Sequence, residues 1–211
     1  LWDVSLSALY EAYGGAMSRE TRTALVGASA EETMVTAYAE LGLDPDAAAM
    51  AESIRWLHDY TADLFDGGLP WCDGAREMLE ALAAERTPMA LVTNTQRALA
   101  ERALNSIGRH YFSVTVCGDE VPQGKPAPDV YLRAADLLGF AAADCLAIED
   151  SVTGSTAAET AGCPVLVVPN EVEVPGGPRR AFVSTLAGLT VTKLRSAHRE
   201  LTDQAGERSA G

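Results

Sequence analysis

The sequence predicts an α/β protein, in which a small helical unit over residues 1–66 precedes a parallel-sheet core over residues 67–198. Three observations carry that expectation. Apolar residues recur at helical spacing through the first third of the chain, with no convincing strand among them. From residue 89 onward, four short apolar runs alternate with helical stretches, as in βαβ units on a sheet buried on both faces. Between the two regimes, "DGGLPWCDG" punctuates the chain with glycines and a proline, which places a boundary and a hinge there.

The elements follow in order. Trp2, Leu6, Leu9 and Tyr13 share a helical face that stops at Gly14 and Gly15. Ser29 with Glu32 three residues on reads as a capping box, and opens a helix with Met34, Ala37, Tyr38 and Leu41 on one side. A third helix places Met50, Ile54, Leu57 and Tyr60 inward, and Asp73 is expected to cap the helix after the hinge. Strands are then expected at 89–93, 112–116, 145–148 and 164–168, with helices near 95–107, 128–138 and 153–161 between them. Residues 199–211 read as a polar tail, expected to be disordered.

Composition narrows the function. Thirty acids against 16 Lys plus Arg give a formal charge of −14, which disfavours nucleic-acid backbones and anionic membranes as partners. No apolar run has the length of a membrane span, and no secretion signal opens the sequence. Cys72, Cys117, Cys145 and Cys163 form no CxxC pair and read as reduced core thiols of a cytoplasmic protein. His58, His110 and His198 match no metal spacing and read as structural or surface residues. A monomer or weak homodimer is expected.

Sites in parallel sheets lie at the C-terminal ends of the strands. There the sequence sets Thr93, Asn94 and Thr95 after the first strand, Lys125 in a Gly/Pro turn after the second, and Glu149 with Asp150 after the third. Hydroxyl and amide donors, a lysine and two adjacent acids are the parts of a phosphoryl-transfer site, with Mg²⁺ between the carboxylates. Each part also has a plainer reading: strand-end and turn residues, a solvated lysine, and acids that cap the next helix.

Taken together, "LVTNT", "GKPAPDVYL" and "IEDSVTGSTAAETAG" closely resemble the second, third and fourth motifs of the haloacid dehalogenase-like superfamily. The resemblance is to its phosphatase and phosphomutase branch, that of phosphoglycolate phosphatase and β-phosphoglucomutase. It implies a Rossmann-like core with an α-helical cap formed by residues 1–66. It further implies that Thr93 hydrogen-bonds the transferring phosphoryl group, that the Asn94 backbone assists, that Lys125 neutralises charge, and that Asp150 with Glu149 holds Mg²⁺. The cap loop 27–33, which includes Ser29, is expected to contact the substrate.

The nucleophile in that family is an aspartate of an Asp-x-Asp-Gly-Thr motif on the first strand, and residues 1–211 contain no such motif. Asp3 lies on a helix and reads as an exposed acid in its first turn. A further strand and loop are expected ahead of Leu1. The leading expectation is a Mg²⁺-dependent phosphatase acting on a small phosphorylated molecule through an aspartyl-phosphate. A β-phosphoglucomutase-like enzyme is the alternative, opposed by Ala30 where such relatives carry arginine. A metal-free dehalogenase is opposed by the paired acids, and an inactive binding protein follows if the first motif is truly absent.

Overall fold

The computed structural model describes residues 1–170 and 172–209. The cap consists of α1 (Trp2–Ala12), α2 (Arg19–Ala24), α3 (Ala30–Leu41) and α4 (Ala47–Asp66). Three of these helices begin at a side-chain cap: Ser18, Ser29 and Asp46 each accept from a main-chain N–H three residues on. At Ser29 the expected capping box is complete, with Glu32 accepting the Ser29 N–H in return. Leu6, Leu9, Leu25, Met34, Tyr38 and Leu57 form the cap's buried cluster.

The inward faces differ from the apolar count. Trp2, Tyr13 and Tyr60 are each more than a third exposed, whereas Ser5, Tyr10, Ser53 and Thr61 are buried. Hydroxyl pairing explains the exchange. Thr61 donates to Ser5 Oγ (2.8 Å), Tyr38 and Ser53 pair at 2.8 Å, and Tyr10 donates to Glu40 (2.7 Å).

The core follows as α5 (Ala75–Ala84), β1 (Ala90–Val92), α6 (Arg97–Ile107), β2 (Val114–Val116), α7 (Asp129–Leu138), β3 (Ala147–Glu149), α8 (Val152–Ala161), β4 (Val165–Val167), β5 (Arg180–Phe182) and α9 (Val191–Ser209). All described pairing is parallel, but it forms two sheets, β1-β2 and β3-β4-β5. A single sheet was the natural expectation. Among the described residues no strand joins β1 to β3, and a mostly apolar cavity of about 790 Å³ is lined by both. Val116, Val130, Tyr131, Ala157, Val165 and Val167 lie in the main buried cluster of this domain.

Three expectations are corrected. Asp73 does not cap α5, which starts from Gly74 in the left-handed region; the Asp73 carbonyl instead accepts from Thr185 Oγ1. The polar tail is helical through Ser209, because Val191, Leu194 and Leu201 fix α9 by one buried stripe; residues 210 and 211 lie outside the described range. All four cysteines are free, but Cys72 is exposed and not a core thiol.

Gly74 is required twice over. Its φ is +79°, and a Cβ there would lie 2.2 Å from the Ala187 main-chain nitrogen. Gly139 has nearly the same φ, +78°, with nothing within 4 Å. Urea unfolding is therefore expected to show a loss of roughly 3 kcal/mol for Gly74→Ala, against about 1 kcal/mol for Gly139→Ala.

Candidate active site

The strand ends of the core meet the underside of the cap around a cavity of about 640 Å³. Thr93, Asn94, Lys125, Glu149, Asp150 and Ser29 all line it, so every residue singled out from the sequence is brought to one place. Their tasks within it differ.

Thr93 continues β1, its N–H donating to Val116 O (3.0 Å). The hydroxyl oxygen accepts from Thr95 N (3.0 Å), which leaves its proton to donate. The Asn94 side chain is committed to backbone: Nδ2 donates to Gly27 O (3.1 Å) and Lys125 O (3.0 Å), and Oδ1 accepts from Lys125 N (2.6 Å). Ser29 Oγ serves as the N-cap acceptor of α3.

The Lys125 ammonium group is held from three sides. Nζ donates to Val92 O at 3.0 Å and to Glu149 Oε1 at 2.5 Å, and lies 5.1 Å from the centre of the Tyr131 ring. The same Glu149 oxygen accepts from the Tyr131 hydroxyl, while Oε2 accepts from Ser151 Oγ (3.3 Å). Burial and the adjacent Glu149 charge push the Tyr131 phenol well above its usual range, so it remains a donor. Gly154 makes room for this arrangement, since a Cβ there would stand 2.0 Å from Glu149 Oε2.

The two adjacent acids thus separate. Glu149 is buried and turned to Lys125, Tyr131 and Ser151, so the expected carboxylate pair around one cation is not what the geometry presents. Asp150 lines the cavity with Asn170 beside it. Loss of hydration, then repulsion from Glu149, raise the Asp150 carboxyl above the ordinary range, against the pull of Lys125 and Asn170. Among the described residues no three His, Cys, Asp or Glu side chains cluster as a metal site.

Sequence reasoning missed Tyr131, although it lies within "GKPAPDVYL". It also passed over His58, which lines the cavity from α4 and meets Trp2 edge to face, with ring centres 6.4 Å apart. Nothing in a lone histidine on an amphipathic helix marks it. Asp3 is a cavity residue too, in an ion pair with Arg22 of α2. No helix among the described residues is long and apolar enough to cross a membrane.

A profile of the haloacid dehalogenase-like hydrolases matches residues 2–168, and the chain belongs to that family. It is 35% identical over 159 residues to Protein CbbY of Rhodobacter capsulatus, covering 71% of this chain and 68% of that protein. It is 31% identical over 166 residues to the phosphoglycolate phosphatase of Thiobacillus denitrificans, covering 78% of this chain and 68% of that one. Among solved structures, β-phosphoglucomutase from Clostridium difficile superposes with a TM-score of 0.83 at 17% identity, covering 94% of this chain and 90% of that one. CbbY from Rhodobacter sphaeroides in complex with phosphate gives 0.80 at 23% identity, covering 92% and 91%. These likenesses show the fold: an α/β core with parallel sheets and many helices.

Burial lowers the His58 pKa below its ordinary 6.5, with the acids Glu31, Asp59 and Asp119 opposing the shift. A histidine that resists protonation in the fold, but not in the unfolded chain, removes stability as pH falls through the unfolded value. The melting temperature is therefore expected to decline as pH drops from about 7 to below 6.5. His58→Gln is expected to flatten that part of the profile, and NMR titration of the imidazole checks the assignment.

Proposed function

We propose that the chain is a phosphatase that hydrolyses a small-molecule phosphate monoester with the help of Mg²⁺, and that it works in the cytoplasm. The observation that carries this reading is Lys125 Nζ, fixed between Val92 O and Glu149 Oε1 on the wall that also holds Thr93 and Asp150. The phosphatase named among its relatives supports it.

Thr93 would donate its free hydroxyl proton to a phosphoryl oxygen. Lys125 would offset the charge that develops on the transferring group, from a position set before substrate arrives. Glu149 and Tyr131 position that ammonium group. The nucleophilic aspartate and its aspartyl-phosphate come from the family resemblance, and no residue from 1 to 211 is assigned to them.

Asp150 and Asn170 would hold Mg²⁺. Mg²⁺ is commonly bound by one or two carboxylates, with water and substrate phosphate completing its shell, so it does not need three protein acids. The donor set fits: a carboxyl on the open cavity wall, beside the Asn170 side chain and repelled by Glu149, is the group a cation relieves. When bound, the ion supplies charge neutralisation at the phosphoryl oxygens.

A β-phosphoglucomutase-like reading is supported by the fold likeness, but Ala30 stands where such relatives place arginine, and the cap wall offers Trp2 and a neutral His58. The deciding experiment measures phosphate release from a panel of monoesters with and without EDTA, alongside conversion of glucose 1-phosphate to the 6-phosphate. Metal-dependent phosphate release supports the proposal, and isomerisation without release overturns it.

Two variants extend the test. Lys125→Met is expected to lower kcat/KM by about 10²–10³. Asp150→Asn is expected to raise the melting temperature without metal, since it removes a repelled charge, and to abolish the further rise that Mg²⁺ gives the wild type. Scanning calorimetry reads both effects without any assay of turnover.

A further inference from the structure

The cap loop at residues 25–29 is seated between the ends of β1 and β3. On the β3 side, Val26 O accepts from Thr153 Oγ1 at 3.5 Å. Gly27, at φ +81°, lies so close that a Cβ would be 3.2 Å from Thr153 Cβ and 3.3 Å from Ser151 Oγ. On the β1 side, Gly27 O accepts from Asn94 Nδ2.

Asn94 has three strong hydrogen-bonding functions in its side chain, two N–H protons and one carbonyl oxygen. One proton goes to the cap, and the other proton and the oxygen both go to the backbone of Lys125. The loop carrying Lys125 is shaped for this approach, because a Cβ on Gly124 would stand 2.7 Å from Asn94 Oδ1. Asn94 is held from behind as well, since a Cβ on Gly118 would lie 2.4 Å from Asn94 O. A small planar amide therefore ties a cap-loop carbonyl to both peptide groups of the residue whose ammonium lies in the site.

We propose that Asn94 is a positioning residue that couples seating of the cap loop to placement of Lys125. With the loop seated, the amide plane is fixed by contacts on both sides. With the loop lifted, the amide loses its Gly27 acceptor and can rotate, and the Lys125 N–H loses a well-aligned partner. Any effect on turnover rests on the phosphatase reading, whereas the mechanical coupling does not.

The test follows hydrogen exchange amide by amide in the intact protein. Gly27→Val disturbs the loop through its positive φ and its contacts with Thr153 and Ser151, and Thr153→Val, which removes only the Val26 hydrogen bond and leaves Ser151 uncrowded, is a milder second way to loosen the same loop. Each is expected to speed exchange at residues 26–29 and, though neither side chain touches Lys125, to speed exchange of the Lys125 N–H by about threefold or more. In Asn94→Ala that N–H is expected to exchange at least about tenfold faster than in wild type, and adding Gly27→Val should change it no further. A Lys125 N–H that stays at the wild-type rate when the loop is loosened overturns the coupling. So does a rise of equal size in the Asn94→Ala background. In an active preparation, Asn94→Ala should lower kcat more than it raises KM. A wild type that releases no phosphate would count against the phosphatase reading and leave the exchange result standing.

Discussion

The ion pair between Lys125 and Glu149 joins two halves of the core that no described strand connects. Lys125 and Glu149 side chains are only 10% and 6% exposed, so both charges have left bulk water. Such a pair is sustained only when its remaining donors and acceptors are met, because the desolvation of each ion costs several kcal/mol. Here Val92 O takes a second ammonium proton, and Tyr131 and Ser151 donate to the carboxylate. The lysine comes from the loop after β2 in one sheet, and the glutamate ends β3 in the other. The seam of the fold and the charge centre of the site are thus one interaction, and anything that loosens the seam moves the ammonium group.

Close approach around that pair is made possible by missing side chains. Gly154 leaves space for the Glu149 carboxylate, and Gly124 and Gly118 leave space for Asn94. Only distance matters at these three positions, since none carries a positive φ. Polar atoms of the site consequently meet backbone directly, which fixes them more firmly than long side chains on an open surface would.

The sequence made the alternation of β1 to β4 with α6 to α8 readable, because short apolar runs bounded by turn residues have few other meanings. Strand-end logic likewise brought Thr93, Asn94, Lys125, Glu149 and Asp150 together, and the family resemblance added Ser29 of the cap loop; all six line one cavity. What escaped has physical reasons. β5 is three residues long, half exposed and preceded by a proline- and glycine-rich loop, so it exists through pairing with β4 and not through its own pattern. The helix α9 is mostly polar, and its buried stripe of Val191, Leu194 and Leu201 is too sparse to stand out. Glu149 is the last residue of β3 and turns into the core, whereas Asp150 follows the strand and is exposed to the cavity, a difference of surroundings that the two-letter motif conceals. His58 became a site residue only when α4 was laid over the core.

Charge around the cavity bears on how an anion could be held there. Among its lining residues Asp3, Glu31, Asp119, Glu149 and Asp150 oppose Arg22 and Lys125, and burial favours the neutral form of His58. Both cations already have carboxylate partners, Arg22 with Asp3 and Lys125 with Glu149. A phosphate ester entering this space meets an excess of negative charge inside a chain that is itself at −14. The N-terminus of α8, capped by Ser151, offers only about half a positive charge in compensation. A divalent cation at Asp150 would offset more charge than either side chain can, and would relieve the repulsion between Asp150 and Glu149 at the same time. Loss of hydration aside, the excess of acids on the wall and the raised Asp150 carboxyl share one cause, the neighbouring Glu149 charge, and a cation at Asp150 would act on both.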